Sequence, residues 1–299
     1  MAAVYETSPI KRQRSTKAEV EARREALLDI IDGGKPMTVR QVFYQATVRG
    51  LVEKAESGYA KVQTDLTIMR RNGELAYDWL ADNTRWQRKP RTFNGVEEAL
   101  QHTAEFYRKS LWADADCYAE IWLEKDALAG VIYPVTATYD VPLMVARGYA
   151  SLSFLHTAAE YINDLIVPTY IYHLGDFDPS GVNAGEKIEA TLREMAPDAD
   201  ITFRRLAVTP EQIVEWNLPT RPTKKTDTRS KNFGEISVEL DAIEPNRLRR
   251  LVQQAIEQHL PKRQFKVLKA AEESERAIIG RLVRIATSST TGIGGEDAP

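Results

Sequence analysis

Apolar positions recur along this chain in two rhythms. In the first third they follow the helical period. Thr16 with Glu19 forms a capping box and predicts a helix running to Asp32 and stopping at Gly33-Gly34. A second box, Thr38 with Gln41, opens a short helix that ends near Gly50. Its residues Val39, Val42, Phe43 and Ala46 recur at i, i+3, i+4 and i+7 and define one buried stripe. A third helix is predicted over Tyr59–Arg71, with Tyr59, Val62, Leu66 and Met69 inward. Asn72-Gly73 is a turn signal, and Glu74–Trp86 reads as a short hairpin or wing. Residues 87–94 read as a basic linker. Three short helices and a wing predict a small, mainly helical winged-helix domain over 16–94, preceded by a flexible tail over 1–15.

Beyond a helix at about 95–109 the rhythm changes. Tyr118–Leu123, Val141–Ala146, Pro168–Leu174 and Ile201–Val208 read as strands. They alternate with helix-like Asp126–Ile132, Ser151–Ile162 and Ser180–Met195. Strands alternating with helices predict βαβ units, a parallel sheet and an α/β domain, with sites beyond the carboxyl ends of the strands. Two more helices are predicted at about 246–260 and 265–286, closing a domain over 95–286. The Ser/Thr/Gly-rich residues 287–299 read as a disordered tail.

Composition fits this division. The 299 residues, 43% hydrophobic and 28% charged, suffice for two domains with real cores. One cysteine, Cys117, excludes an internal disulfide framework and multi-Cys metal sites, which fits a reducing compartment such as the cytoplasm. No apolar run approaches a membrane span, and Lys11, Arg12 and Arg14 precede no apolar stretch, so no secretory signal is expected. The net charge of −3 argues against a nucleic-acid partner only until it is divided. Residues 1–110 carry +4, residues 111–200 carry −11 and residues 201–299 carry +4.

Three acids in the acidic middle stand where chemistry is expected. Glu124 ends the first sheet strand. Asp176 and Asp178 follow the third, in Gly175-Asp-Phe-Asp-Pro-Ser-Gly181. Residues two apart in an extended segment face one way, and adjacent parallel strands would bring Glu124 to the same rim. Hard oxygen ligands at such a rim suit Mg²⁺. The same pattern also suits an ion-pair network, with Asp178-Pro179 serving as a helix start and Glu124 pairing with Lys125 or a distant Arg. His173 reads as a core or rim residue. In the first domain Tyr44 falls off the apolar stripe, about 140° from Val39, with Arg40 one turn earlier. A tyrosine beside a guanidinium suits an anion or an activated phenol, or simply packs on a neighbour. Lys61, Thr64, Thr67 and Arg71 lie off the apolar side of the third helix, and Arg70, Arg88, Lys89 and Arg91 add charge nearby. They form a phosphate-binding surface or a solvated face.

These segments resemble a known family. Thr38-Val-Arg-Gln-Val-Phe-Tyr44 is similar to the Thr-Leu-Arg-Glu-x-Tyr-Tyr motif of the topoisomerase VI A subunit and of the related meiotic double-strand-break transesterase. Glu124-Lys-Asp-Ala-Leu resembles the family's segment at the end of the first Toprim strand. Asp176-Phe-Asp-Pro-Ser-Gly181 resembles its Asp-x-Asp-Pro-x-Gly segment. The order, winged helix (CAP-like) before Toprim, also matches, over roughly residues 20–210. Gln41 and Phe43 replace the family's Glu and penultimate Tyr, and Arg147-Gly-Tyr-Ala-Ser151 lacks its Pro-Asp. The chain is short and carries no recognisable ATPase module, like the stand-alone relatives called mini-A.

The resemblance implies that Tyr44 is the nucleophile, that Arg40 steadies the scissile phosphate and that Glu124 takes part in catalysis. It also implies that Glu124, Asp176 and Asp178 hold Mg²⁺. Double-stranded DNA would be the substrate, left with a 5′-phosphotyrosyl break. A homodimer is implied, with the tyrosine of one protomer serving the metal site of the other, and a separate ATPase subunit is a possible further partner. Two other readings stay open. One is a Toprim nuclease using water as nucleophile. The other is a DNA-binding module whose acidic site is vestigial.

Overall fold

The computed structural model describes residues 15–81, 90–223, 233–260 and 262–290, with side chains to residue 285. The expected N-terminal tail before residue 15, Arg88 and Lys89, and residues 291–299 lie outside the described residues. The chain divides into two compact units, residues up to 81 and residues from 82 onward.

The first unit contains α1 (Lys17–Gly34), α2 (Val39–Val48) and α3 (Glu56–Arg71). Both expected capping boxes are formed, by Thr16 with Glu19 and by Thr38 with Gln41. Local hydrogen bonding therefore sets both starts. α1 runs through Gly33-Gly34 and ends at an extended Lys35, the residue before Pro36, where proline disfavours helix. α3 starts earlier than its apolar pattern suggested. A Cβ on Gly58 would meet Glu53 O at 2.1 Å, so a glycine permits the close packing of the first turn. Leu27, Ile30 and Ile31 of α1, Val42, Phe43 and Ala46 of α2, and Val62, Leu66 and Met69 of α3 are buried. Asp65 of α3 is buried too. It accepts from Arg23 Nε at 2.7 Å and Arg24 Nε at 3.0 Å, tying α3 to α1.

The expected hairpin over Glu74–Trp86 lies partly outside the described residues. Its described part is one 3₁₀ turn, Tyr77–Trp79, and a single parallel bridge from Leu80 to Met37.

The second unit is built on a four-stranded parallel sheet. Its strands are β1 (Tyr118–Leu123), β2 (Leu143–Val145), β3 (Thr169–Leu174) and β4 (Ile201–Ala207), in the order β2-β1-β3-β4. This is the parallel α/β sheet expected from the alternating pattern. Its helices are α4 (Val96–Phe106), α5 (Ala129–Thr138), α6 (Leu152–Asn163), α7 (Pro179–Met195), α8 (Pro210–Glu215), α9 (Pro245–Glu257) and α10 (Lys262–Thr290). The expected helix at Asp126 begins as a 3₁₀ turn, Asp126–Leu128, and continues as α5. β5 (Arg221–Pro222) and β6 (Ile236–Ser237) form a short antiparallel ribbon.

Trp122 of β1, Leu155 and Ile162 of α6, Ile171 of β3, Ile188 and Leu192 of α7 and Ile201 of β4 form one buried cluster. Arg249 Nε of α9 donates to Val131 O of α5 at 3.2 Å. Lys109, just after α4, donates its backbone N–H to Glu272 and its Nζ to Glu275 of α10. α10 continues to Thr290, into the segment expected as tail. Among the described residues no helix is long and apolar enough to cross a membrane.

Candidate functional site

The strand order reverses direction between β1 and β3. In open parallel sheets the loops leaving the carboxyl ends diverge at such a switch point and open a crevice. Glu124 leaves β1 there, and Asp176 and Asp178 leave β3 there.

The structure brings Glu124 and Asp176 into contact. The Asp176 backbone N–H donates to Glu124 Oε2 at 2.9 Å. Two glycines make this fit possible. A Cβ on Gly175 would fall 2.6 Å from Glu124 Oε2, and one on Gly181 would fall 2.9 Å from that oxygen and 2.5 Å from Asp176 O. Gly175 thus leaves room for Glu124 and His173, and Gly181 for the Asp176 carbonyl and Glu124. Burial, followed by the charge of Asp176, pushes the Glu124 carboxyl up to about 7.

Asp176 is 8% exposed. Its Oδ1 accepts from Leu240 N at 2.8 Å and lies 3.0 Å from Lys125 Nζ. Burial raises its carboxyl, and Lys125 works against that rise. Asp178 does what its place before Pro179 allows. It caps α7, with Oδ1 accepting from Gly181 N at 2.8 Å, and its Oδ2 accepts from Arg221 Nη2 at 3.0 Å.

Five charged residues complete the site beyond those singled out as ligands in the sequence. Phe177 and Val238 exchange backbone hydrogen bonds of 2.8 and 2.9 Å, which draws the segment after β6 alongside the Asp-Phe-Asp loop. That segment brings in Glu239 and Asp241, both buried. Lys125 Nζ lies 2.8 Å from Asp241 and 3.4 Å from Glu239, so Lys125 pairs with these acids and Asp176. Burial opposes its charge, but Asp241, Asp176 and Glu239 together hold Lys125 above its ordinary range. Arg221 also pairs with Glu239, at 3.4 Å. Arg205, on β4, donates to the carbonyls of Gly175, at 2.9 Å, and of Asp176, and so fixes the backbone of the loop. The one sequence signal for the added acids is Glu239-Leu-Asp241, which repeats the two-residue spacing of Asp176 and Asp178.

His173 is a core residue, as expected. It is buried against Gly175 and Gly185, and burial followed by the charge of Arg205 lowers it to about 3.

The donor set fits a hard divalent cation in kind: carboxylate oxygens only, at a crevice, with burial and Asp176 outweighing the charge of Lys125 at Glu124. As arranged, Lys125, Arg205 and Arg221 supply the positive charge. No group of three His, Cys, Asp or Glu among the described residues stands ready to hold a metal ion.

In the first unit, Tyr44 corrects the sequence reading. It is 5% exposed, not off the buried stripe. α2 packs against both α1 and α3, and a helix covered on two sides buries more than one stripe. The Tyr44 ring lies 5.5 Å from that of Phe43, and Lys54 Nζ is 5.9 Å from its centre. Arg40 is exposed, its guanidinium 5.2 Å from the Tyr59 ring centre.

Among the expected phosphate contacts, Lys61, Thr64 and Arg71 are exposed on α3. Lys61 lies 3.3 Å from Glu53, and the Thr64 hydroxyl donates to Ala60 O. Arg70 has a structural contact as well. Its Nη2 donates to the carbonyls of Tyr77 and Leu80, at 2.7 and 3.3 Å, and pins the 3₁₀ turn to α3. Arg91, in the second unit, lies over the Phe106 ring and against His102.

No family model matches the chain, and no curated protein is similar to it.

Proposed function

We propose that this protein cleaves double-stranded DNA by metal-dependent phosphoryl transfer at the rim formed by Glu124, Asp176 and Asp178. The observation that carries the reading is the Asp176 N–H to Glu124 hydrogen bond at the β1/β3 switch point. Two acids from separate strands are held together there, and burial with the charge of Asp176 raises Glu124, the kind of perturbation that gathers at functional sites. The Toprim-like and winged-helix-like motifs give the reading its substrate.

Mg²⁺ held by Glu124, Asp176 and Asp178 would offset charge on the phosphoryl and leaving oxygens. Arg221 and Lys125 keep the acids compensated and ordered until then. Arg205 holds the loop backbone in place. In the transesterase form, the Tyr44 phenol loses its proton and its oxygen bonds to phosphorus. The bond from phosphorus to the 3′ oxygen breaks, and that oxygen takes up a proton. The 5′-phosphotyrosyl ester keeps the break resealable. Arg40 would contact the scissile phosphate. The composite site pairs Tyr44 of one protomer with the acids of another, so the active form is a homodimer; a separate ATPase subunit would be needed for strand passage.

The 5% exposure of Tyr44 favours a second reading, in which water attacks and no covalent adduct forms. An adduct assay separates the two. Plasmid is incubated with protein and Mg²⁺, quenched with detergent, and run with and without protease. A 5′-linked adduct lost in Tyr44→Phe supports transesterification. Cutting that survives Tyr44→Phe but is lost in Asp176→Ala assigns the reaction to water. Binding without cutting under any condition would leave a DNA-binding module.

A further inference from the structure

The sheet carries a second candidate site away from the acid rim. Tyr118, Ala119 and Glu120 of β1 line a cavity of about 830 Å³, together with residues of α6 and of the loops before β1 and before β3. Its volume and mainly apolar walls are those of a small-molecule site.

Its charge has one sign. Glu120, Asp140 and Asp164 line it, and no Lys or Arg is among its described lining residues. Asp140 and Asp164 are exposed, whereas Glu120 is 2% exposed. Glu120 Oε1 accepts from the Tyr118 hydroxyl at 2.9 Å, and Oε2 accepts from Trp122 Nε1 at 2.6 Å. Both donors are neutral, and no described cation pairs with this carboxylate. Burial holds its carboxyl above the ordinary range. Each carboxylate oxygen can accept a further hydrogen bond. A buried carboxylate without positive charge is unfavourable, and a cation reaching it would remove that cost. Trp112, Tyr118, Phe154 and Tyr161 add aromatic surface to the same walls, and aromatic faces attract cations. The charged groups a phosphate-bearing ligand would meet here are all acids.

We propose that this cavity binds a small organic cation. Its ammonium or guanidinium head hydrogen-bonds to Glu120 and its body lies against the aromatic lining, with Asp140 and Asp164 drawing it in. This site is independent of the DNA-cleavage reading.

Isothermal titration with agmatine and with tyramine, whose heads both carry N–H donors, alongside Trp fluorescence, tests it. AMP serves as the anionic control. Two variants locate the binding: Glu120→Gln removes the charge, and Thr157→Trp fills the cavity from an exposed position on α6. The expected result is saturable one-to-one binding of at least one cation and none of AMP. Each variant should bind roughly tenfold more weakly or worse, the loss of one strong contact. Absence of saturation by both cations at millimolar concentration overturns the proposal. So does AMP binding at the same place, or full affinity in either variant. Should Glu120→Gln fail to fold, the Thr157→Trp comparison decides.

Discussion

Glu124 sits in a local conflict between burial and charge that makes a measurable prediction. A carboxyl whose folded-state value exceeds its unfolded one costs stability as it ionises. That cost is absent below the ordinary value of 4.5 and complete above about 7. Glu124→Gln should therefore raise the Tm of the metal-free protein at pH 8 and leave it nearly unchanged at pH 4. If Glu124 holds Mg²⁺, the ion should raise the Tm of the wild type more than that of the variant. A variant that melts lower than wild type at pH 8 would refute the conflict. Gly181 makes a second prediction at this scale. A Cβ there meets the Asp176 carbonyl, a backbone atom that Arg205 holds in place. Gly181→Ala should cost about 1–3 kcal/mol by overpacking, read from the urea midpoint. The glycines of the Gly175–Gly181 segment were visible in the sequence. Part of their reason, the approach of Glu124 from the end of β1, depends on a contact distant in the chain.

α2 shows what a single helix can and cannot disclose about itself. Its capping box was legible because Thr38 and Gln41 are three residues apart and bond within one turn. The burial of Tyr44 was not, because it depends on α1 and α3 covering α2 from both sides. The contacts of Arg70 were hidden for a similar reason. On its own helix it is a free basic residue, and only the following 3₁₀ turn supplies the carbonyls that engage it. Asp65 holds two α1 arginines from α3 and should be sensitive. Asp65→Ala leaves both guanidinium groups without their carboxylate and should cost about 2–3 kcal/mol, the worth of hydrogen bonds to a charged group. Chemical denaturation measures it, and a loss within error would mean that the arginines turn to solvent without penalty.

At the scale of the molecule, the −3 net charge hides an acidic middle between two mildly basic flanks. The spacing of Asp176 and Asp178 and the place of Glu124 at a strand end were legible in the sequence, whereas the neighbouring of β1 and β3 that joins them is a property of the fold. Arg221, Glu239 and Asp241 were not legible, because only the β5/β6 segment folding back along the Asp-Phe-Asp loop brings them in, and Arg205 reaches the loop from β4. The basic face on α3 stays a proposal with its own test. Lys61→Ala and Arg71→Ala should weaken DNA binding and each reduce the salt slope by about 1, as lost phosphate contacts do. Arg70→Ala should lower stability and leave that slope unchanged. An unaltered slope in the first two would make the face merely solvated.

We propose the acid rim as the place where DNA is cut with the help of a divalent cation. The most direct measurement is the conversion of supercoiled plasmid to nicked and linear forms, with Mg²⁺ or EDTA, by the wild type and by Glu124→Gln and Asp176→Asn. Cutting should need Mg²⁺ and fall at least roughly a hundredfold in each variant, the scale of a lost electrostatic group at a reacting centre. Cutting that persists in EDTA, or at wild-type rate in both variants, would contradict the proposal.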